Sequence, residues 1–136
     1  MADNDDVVIL DPEHLALTDH GPVLLGSRCS RCGLHFFPRR WECAVDQAEC
    51  IDVELSQEGS LWVSTYVHTP AYGTQALAAE GYGVGQVDLP EGVRVQAVLS
   101  GQPSAWVHGC RMALVTEQVG SDDQGRPRLV YRFAPV

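Results

Sequence analysis

The sequence contains no lysine, so its nine basic residues are all arginine, and 18 acidic residues bring the formal charge to −9. A large nucleic-acid interface needs a basic face that displaces counterions from phosphates. The charge therefore argues against a protein whose main partner is nucleic acid. The chain also lacks an apolar run long enough to cross a bilayer, which argues against a membrane-spanning protein.

Recognisable catalytic motifs are missing as well. We find no Ser-His-Asp order, no phosphate-cradling glycine loop and no dinucleotide fingerprint, because GYGVG at 81–85 is irregular and precedes a strand rather than a helix. Cys110 follows Gly109 and is most simply a small apolar residue of the interior. We expect no catalytic residue in this chain.

The feature that the sequence does have is a cysteine-rich segment at 28–50. It opens with Cys29-x₂-Cys32-Gly33 and continues to Cys43 and Cys50. Two pairs of thiols on neighbouring turns form the tetrahedral cage that Zn²⁺ prefers, and the glycine can take the positive φ of the first turn. We expect a closed, structural zinc site with these four cysteines as ligands.

The second half of this segment is irregular, because position 46 is Asp where a zinc ribbon usually closes with a second C-x₂-C. Asp46 or His35 as the fourth ligand remains an alternative, as does a pair of disulfides or a site without metal. No signal peptide precedes the cysteines, so we expect a reducing, cytoplasmic location, which disfavours disulfides.

Four arginines fall within the same segment: Arg28, Arg31, Arg39 and Arg40. They either form a solvated edge or a local pocket for phosphate or carboxylate, which guanidinium groups bind in a bidentate manner. The neighbouring aromatic residues, Phe36, Phe37 and Trp41, either pack over the metal site or form a contact patch for another protein.

The flanking sequence divides into two further regions. Residues 1–6 are acidic and are expected to be disordered, and 7–10 form a short strand or a docking segment. Asp11-Pro12-Glu13 is typical of a helix start, which predicts a short helix ending near residue 21. From residue 51 onward, short alternating strands separated by turns predict a small closed barrel of the OB type, with an Ala- and Gly-rich loop or short helix at 71–83.

The order of these pieces resembles the acyl-CoA-associated zinc-ribbon/OB-fold proteins. The resemblance covers residues 11–136 and is carried by CSRCGLHFFPRRWEC, GSLWVSTYVHTP, YGVGQVDLPEGVRVQAVLSG, HGCRMALV and YRFAP. It implies a mainly β fold: a tail and short N-terminal helix at 1–22, a rubredoxin-like zinc ribbon at 23–53 and an OB-fold domain at 54–136. The departure is the fourth cysteine, which the family often places three positions after Cys43.

The resemblance implies a function by partnership. Such proteins are companions of thiolase-fold enzymes, or of aldolases and hydratases acting on acyl-CoA, and the catalytic residues lie on the partner. We expect a non-catalytic subunit of a thiolase acting on a 3-oxoacyl-CoA, with the benzoylsuccinyl-CoA thiolases as one example. The CoA thioester would be shared with the partner and would contact these residues of this chain: Arg28, Arg31, Phe37, Arg39, Arg40 and Trp41.

Two other functions compete with this expectation. In the first, the chain is a companion subunit of an aldolase or an enoyl-CoA hydratase. The second is a nucleic-acid-binding OB protein, in which aromatic residues stack on bases. Candidates for such stacking are Trp62, Tyr66, Tyr72 and Trp106.

Overall fold

The computed structural model describes residues 6–68 and 81–136, and the chain within these ranges is mainly β-strand. A 3₁₀ turn at Pro103–Ala105 is the only helical element that they contain. The strands are β1 (Val8–Ile9), β2 (Leu15–Thr18), β3 (Gly21–Cys29), β4 (His35–Phe36), β5 (Cys50–Glu54), β6 (Glu58–Val67), β7 (Tyr82–Asp88), β8 (Arg94–Leu99), β9 (Arg111–Ser121) and β10 (Pro127–Pro135).

Five of these strands close into a barrel in the order β6-β7-β8-β10-β9, with β9 pairing back onto β6. All neighbours are antiparallel except β8 and β10, which run parallel. The alternation that predicts these strands is visible in β8, where Val95, Ala97 and Leu99 point inward and Arg94 and Gln96 point outward. The predicted OB-type barrel is confirmed.

The apolar core fills this barrel and extends to β2 and β3. Phe133 from β10 is its largest fully buried side chain, and Met112 from β9 and Val87 from β7 are equally inaccessible. The remaining buried members are Leu15, Leu24, Leu55, Leu61, Leu89, Val93, Val95, Ala97, Leu99 and Leu114. Burial of apolar surface from every barrel strand therefore stabilises the barrel.

The predicted N-terminal helix is wrong. Asp11 does begin a turn, since its carbonyl accepts hydrogen bonds from the N–H groups of His14 and Leu15, but the chain then extends into β2. β2 forms a hairpin with β3, closed by Gly21 at φ +104. The side chain of Leu15 is buried in the core, so pairing and burial override the helix-start signal.

β3 runs beyond the barrel into the cysteine-rich segment. Its second half pairs with β5, in a register that places Cys29 opposite Cys50, and with the short β4. We call residues 27–53 the finger. Between Gly33 and Cys43 the strand structure is limited to β4, and Pro38, which follows it closely, has no N–H to donate to a ladder.

Two expectations concern residues that the structure describes only in part. Residues 1–5 of the acidic tail lie outside the described residues, as do positions 69–80, which include Tyr72 and most of the Ala- and Gly-rich segment. The division into a tail and helix region at 1–22, a zinc ribbon at 23–53 and an OB-fold domain at 54–136 stays a prediction. VVIL at 7–10 supplies β1, which pairs in parallel with β10.

Candidate metal centre and adjoining cleft

The first cysteine turn follows the end of β3. Gly33 adopts φ +80, and its N–H donates to the Cys29 carbonyl at 3.1 Å, which closes the turn. The N–H groups of Arg31 and Cys32 then point at the sulfur of Cys29, at 3.4 and 3.3 Å. A sulfur that accepts two N–H groups is prepared to carry negative charge, as a metal-bound thiolate must.

The second turn repeats this geometry at Cys43. The N–H of Val45 donates to the Cys43 sulfur at 3.4 Å, and the N–H of Gln47 donates to the Cys43 carbonyl at 3.0 Å. Gln47 takes the positive φ of 62° in this turn. Asp46 lies three positions after Cys43, and one of its carboxylate oxygens accepts the Ala48 N–H at 2.9 Å.

The two turns bring four donor groups together. One ligand atom from each of Cys29, Cys32, Cys43 and Asp46 lies within 4.8 Å of the other three. The sulfurs of Cys32 and Cys43 are 3.6 Å apart, and the Cys29 sulfur is 3.4 Å from Asp46 Oδ1. Tetrahedral zinc with usual bond lengths requires about 3.8 Å between two sulfurs and about 3.5 Å between sulfur and oxygen. The donor set fits a zinc ion, for which these residues would supply a closed structural site.

The two other candidate ligands lie outside this set of four. Cys50 begins β5 directly opposite Cys29, and its N–H donates to the Trp41 carbonyl at 2.8 Å. His35 lies in β4, paired with Arg28. Cys50 was the expected fourth ligand, with Asp46 or His35 as the alternatives. The structure groups Asp46 with the first three cysteines.

Hydrogen bonds and burial shift the pKa values in this cluster in opposite directions. The pKa of the Asp46 carboxyl is lowered, chiefly by the Ala48 N–H. Burial acts to raise the pKa of the Cys29 thiol, but the N–H groups of Cys32 and Arg31 outweigh it and the pKa is lowered. For Cys32, the Leu34 N–H lowers the pKa, but burial and the neighbouring thiols prevail and raise it to about 11.

A cleft of about 470 Å³ opens beside the candidate metal site. Its lining residues come from the β1–β2 turn and the finger: Glu13, His14, Arg39, Arg40, Trp41, Glu49, Cys50 and Asp52. Arg39 forms an ion pair with Asp52 at 3.3 Å. Arg40 stacks over the Phe36 ring at 5.6 Å and donates through Nε to the Glu42 carbonyl. Three carboxylates and two guanidinium groups line this cleft, so it is not basic overall.

The structure separates the six residues expected to contact CoA. Arg39, Arg40 and Trp41 line the cleft together, and Trp41 is 90% exposed. Arg28 and Arg31 are exposed but are not among the lining residues. Phe37 points inward and packs edge-on against His14 and Tyr131, with ring centroids 5.4 and 6.5 Å apart, so it joins the finger to the barrel.

Sequence reasoning missed two residues that shape this cleft. Ser27 is fully buried in β3, and its hydroxyl accepts the Arg40 N–H at 2.9 Å, which fixes the backbone of the arginine segment. His14 falls within the region of the predicted N-terminal helix, and the structure places it in the lining of the cleft. The signal for Ser27 is its position two residues before Cys29, on the same face of β3. His14 had no such signal, because the other residues that line the cleft are distant from it in the sequence.

His108 and Cys110, two residues apart on the barrel, are directed to different neighbours. His108 Nδ1 lies 2.6 Å from the Trp62 carbonyl, and the Cys110 thiol donates to the Met112 sulfur at 3.5 Å. Cys110 packs against the apolar core, as expected for a structural cysteine. Within residues 6–68 and 81–136, no helix has the length and apolarity that a membrane span requires.

Comparison with known proteins identifies related chains across nearly the whole sequence. A family described as "ChsH2, C-terminal OB-fold domain" matches residues 52–117. The chain is 30% identical over 134 residues to benzoylsuccinyl-CoA thiolase subunit BbsA of Thauera aromatica, covering 96% of this chain and 90% of the relative. It is 26% identical over 117 residues to a DUF35 domain-containing scaffold protein of Methanocaldococcus jannaschii, covering 83% and 82%. In the solved "Ltp2-ChsH2(DUF35) aldolase", one chain superposes with a TM-score of 0.65 at 23% identity, covering 83% of this chain and 84% of that one.

Proposed function

Because this chain belongs to the DUF35 family, which includes the OB-fold domain of ChsH2, we propose that it is a non-catalytic subunit of a thiolase complex acting on a 3-oxoacyl-CoA. The observation that carries this proposal is the similarity to a thiolase subunit over 96% of the chain. The partner would hold the catalytic residues and make or break the carbon–carbon bond. This chain would complete the CoA pocket and hold the assembly together.

The finger offers the surface for that partnership. Trp41, Val45 and Leu34 are all exposed, although each is a large apolar residue. Apolar side chains that protrude from a small metal-held segment are typical of protein contacts, and tryptophan is enriched among the residues that dominate binding energy. We therefore assign the finger, and Trp41 first, to the contact with the catalytic subunit.

The cleft beside the finger would receive part of the CoA thioester. Arg39 is held by one exposed ion pair with Asp52, and such a pair contributes about 1 kcal/mol or less. A phosphate therefore competes readily for this guanidinium. Because Glu13 and Glu49 also line the cleft, two arginines cannot neutralise a CoA phosphate group alone. The partner would supply further cations, which agrees with a ligand shared between subunits.

The test of the CoA assignment is steady-state kinetics of the purified complex with Arg39 and Arg40 both changed to alanine. The KM for the CoA substrate should rise by about tenfold or more, since a hydrogen bond to a charged group is worth about 1.5–3 kcal/mol. Asp52→Asn frees Arg39 and should lower that KM. Arg111→Ala removes an arginine that pairs with Glu58 on the barrel, and it serves as the matched control. An unchanged KM in the double variant would remove the cleft from the CoA site.

The alternative partner is an aldolase, because a solved aldolase assembly contains a chain of the same fold. A fold at 23% identity does not select the partner, and the thiolase relative is the more similar sequence. Purification of the full chain from native cells with its bound polypeptide separates the two. A partner that carries out thiolysis supports the proposal, whereas one that carries out aldol cleavage or hydration replaces it.

A further inference from the structure

We propose that the metal ion of the finger is bound by three thiolates and one carboxylate, with Asp46 as the fourth ligand and Cys50 outside the coordination sphere. This differs from the expectation of four cysteine ligands that the sequence raised. It concerns the donor set alone and does not depend on which catalytic partner the chain binds.

The first argument is the repeated geometry of the two turns. Cys29-x₂-Cys32 and Cys43-x₂-Asp46 have the same spacing. In each turn, the first cysteine sulfur accepts a backbone N–H from the residue two positions later. A zinc ribbon takes its ligands from the first and the fourth position of each turn. In the second turn the fourth position is Asp46.

The second argument is distance. Both Asp46 oxygens lie near the Cys29 sulfur, at 3.4 and 3.6 Å, which brackets the separation of about 3.5 Å expected for a sulfur and an oxygen on one tetrahedral zinc ion. The Ala48 N–H holds Oδ1 at 2.9 Å and so fixes the orientation of the carboxylate. A fixed carboxylate loses little conformational freedom when it binds a metal, which favours it over a ligand that must reorient.

The third argument is the position of Cys50. Its backbone is set by the β3–β5 ladder and by the hydrogen bond to the Trp41 carbonyl. Cys50 lines the cleft with Arg40 and Trp41, and its sulfur is not one of the four mutually close donor atoms. Recruiting Cys50 would require displacing the Asp46 carboxylate. The exchange would gain no charge, because a thiolate and a carboxylate each contribute one negative charge.

X-ray absorption spectroscopy of the zinc-loaded full chain tests this donor set directly. Zinc–sulfur bonds are about 2.3 Å and zinc–carboxylate oxygen bonds about 2.0–2.2 Å, so three sulfurs with one oxygen are distinguishable from four sulfurs. We expect three sulfurs and one oxygen in the unmodified chain. Asp46→Cys should convert the spectrum to four sulfurs. Four sulfurs in the unmodified chain would overturn the proposal.

Competition with a zinc chelator supplies the second measurement. Cys50→Ser should bind zinc as tightly as the unmodified chain, with the same spectrum. Asp46→Ala should bind more than about 100-fold more weakly, since losing even an outer-shell partner of a metal site costs about 10–100-fold. Glu49→Ala removes a carboxylate from the same loop and should leave the affinity unchanged. Loss of zinc in Cys50→Ser would contradict the assignment, and this variant keeps the test decisive if Asp46→Ala does not fold.

Discussion

The barrel and the finger are built from the same chain but are held together by different forces. In the barrel, buried apolar side chains come from every strand and form one core, of which Phe133 is the largest fully buried member. The finger contributes only partly buried apolar residues to that core, namely Phe37 and Val53, and its most buried side chains are Cys29, Cys43 and Ser27. Hydrophobic burial therefore stabilises the barrel. The finger is held by backbone hydrogen bonds and, if the proposed metal is bound, would also be held by its ligands.

Phe133→Ala should produce the largest loss of stability and should break the barrel first. The side chain is the largest that is fully buried in the core, and such a truncation costs about 3–5 kcal/mol from lost transfer energy and the cavity left behind. Chemical denaturation followed by circular dichroism measures this cost. A loss below about 1 kcal/mol would show that the barrel does not depend on its apolar core as described.

Removal of the metal should have a smaller effect on the whole molecule and a large one on the finger alone. A chelator should abolish hydrogen-exchange protection at the N–H groups of Cys29, Ser30 and Cys50, which are bonded only within the finger. Protection in β7 and β8 should remain, because their core does not include the metal site. Loss of protection in both regions at once would show that the two are not energetically distinct.

Two tryptophans, one from each region, give the finest comparison. Trp106 packs against Gly83 and donates through Nε1 to the Ser100 carbonyl at 3.0 Å, so Trp106→Ala should cost at least about 1.5 kcal/mol. Trp41 is 90% exposed, and Trp41→Ala should change the free energy of unfolding by less than about 0.5 kcal/mol. Denaturant titration of both variants measures the difference, and the Trp41 variant should instead lose affinity for the catalytic partner. Equal destabilisation by the two substitutions would contradict the distinction.

The sequence predicted the barrel well, because its strands and turns are marked by patterns among neighbouring residues. Alternation along 94–99 reflects one face against the core and one against solvent, and Pro90-Glu91-Gly92 marks the intervening turn. The helix predicted after Asp11 failed because its start signal is real but short, and β2 gains more from pairing with β3 than a single helical turn provides.

For the candidate site, the sequence predicted the part that depends on residues close together in the chain. Cys29 and Cys32 lie on one turn, so their spacing alone predicts their proximity. The fourth ligand and the cleft depend on how residues 43–50 fold back and on the distant residue His14, which spacing does not reveal. Phe37 packs against Tyr131 and so joins the finger to the barrel, a contact that spacing does not reveal, whereas its contact with CoA stays a prediction.

The course of β3 has a consequence for how the complex would assemble. Leu24 is buried in the core and Cys29 belongs to the candidate metal site, and both lie on one continuous strand, roughly 16 Å apart at 3.3 Å per residue. This strand therefore holds the core and the candidate metal site at a fixed distance from each other. A catalytic subunit that binds the tip of the finger would therefore also determine the position of the barrel relative to itself. A single binding contact would then orient the entire subunit.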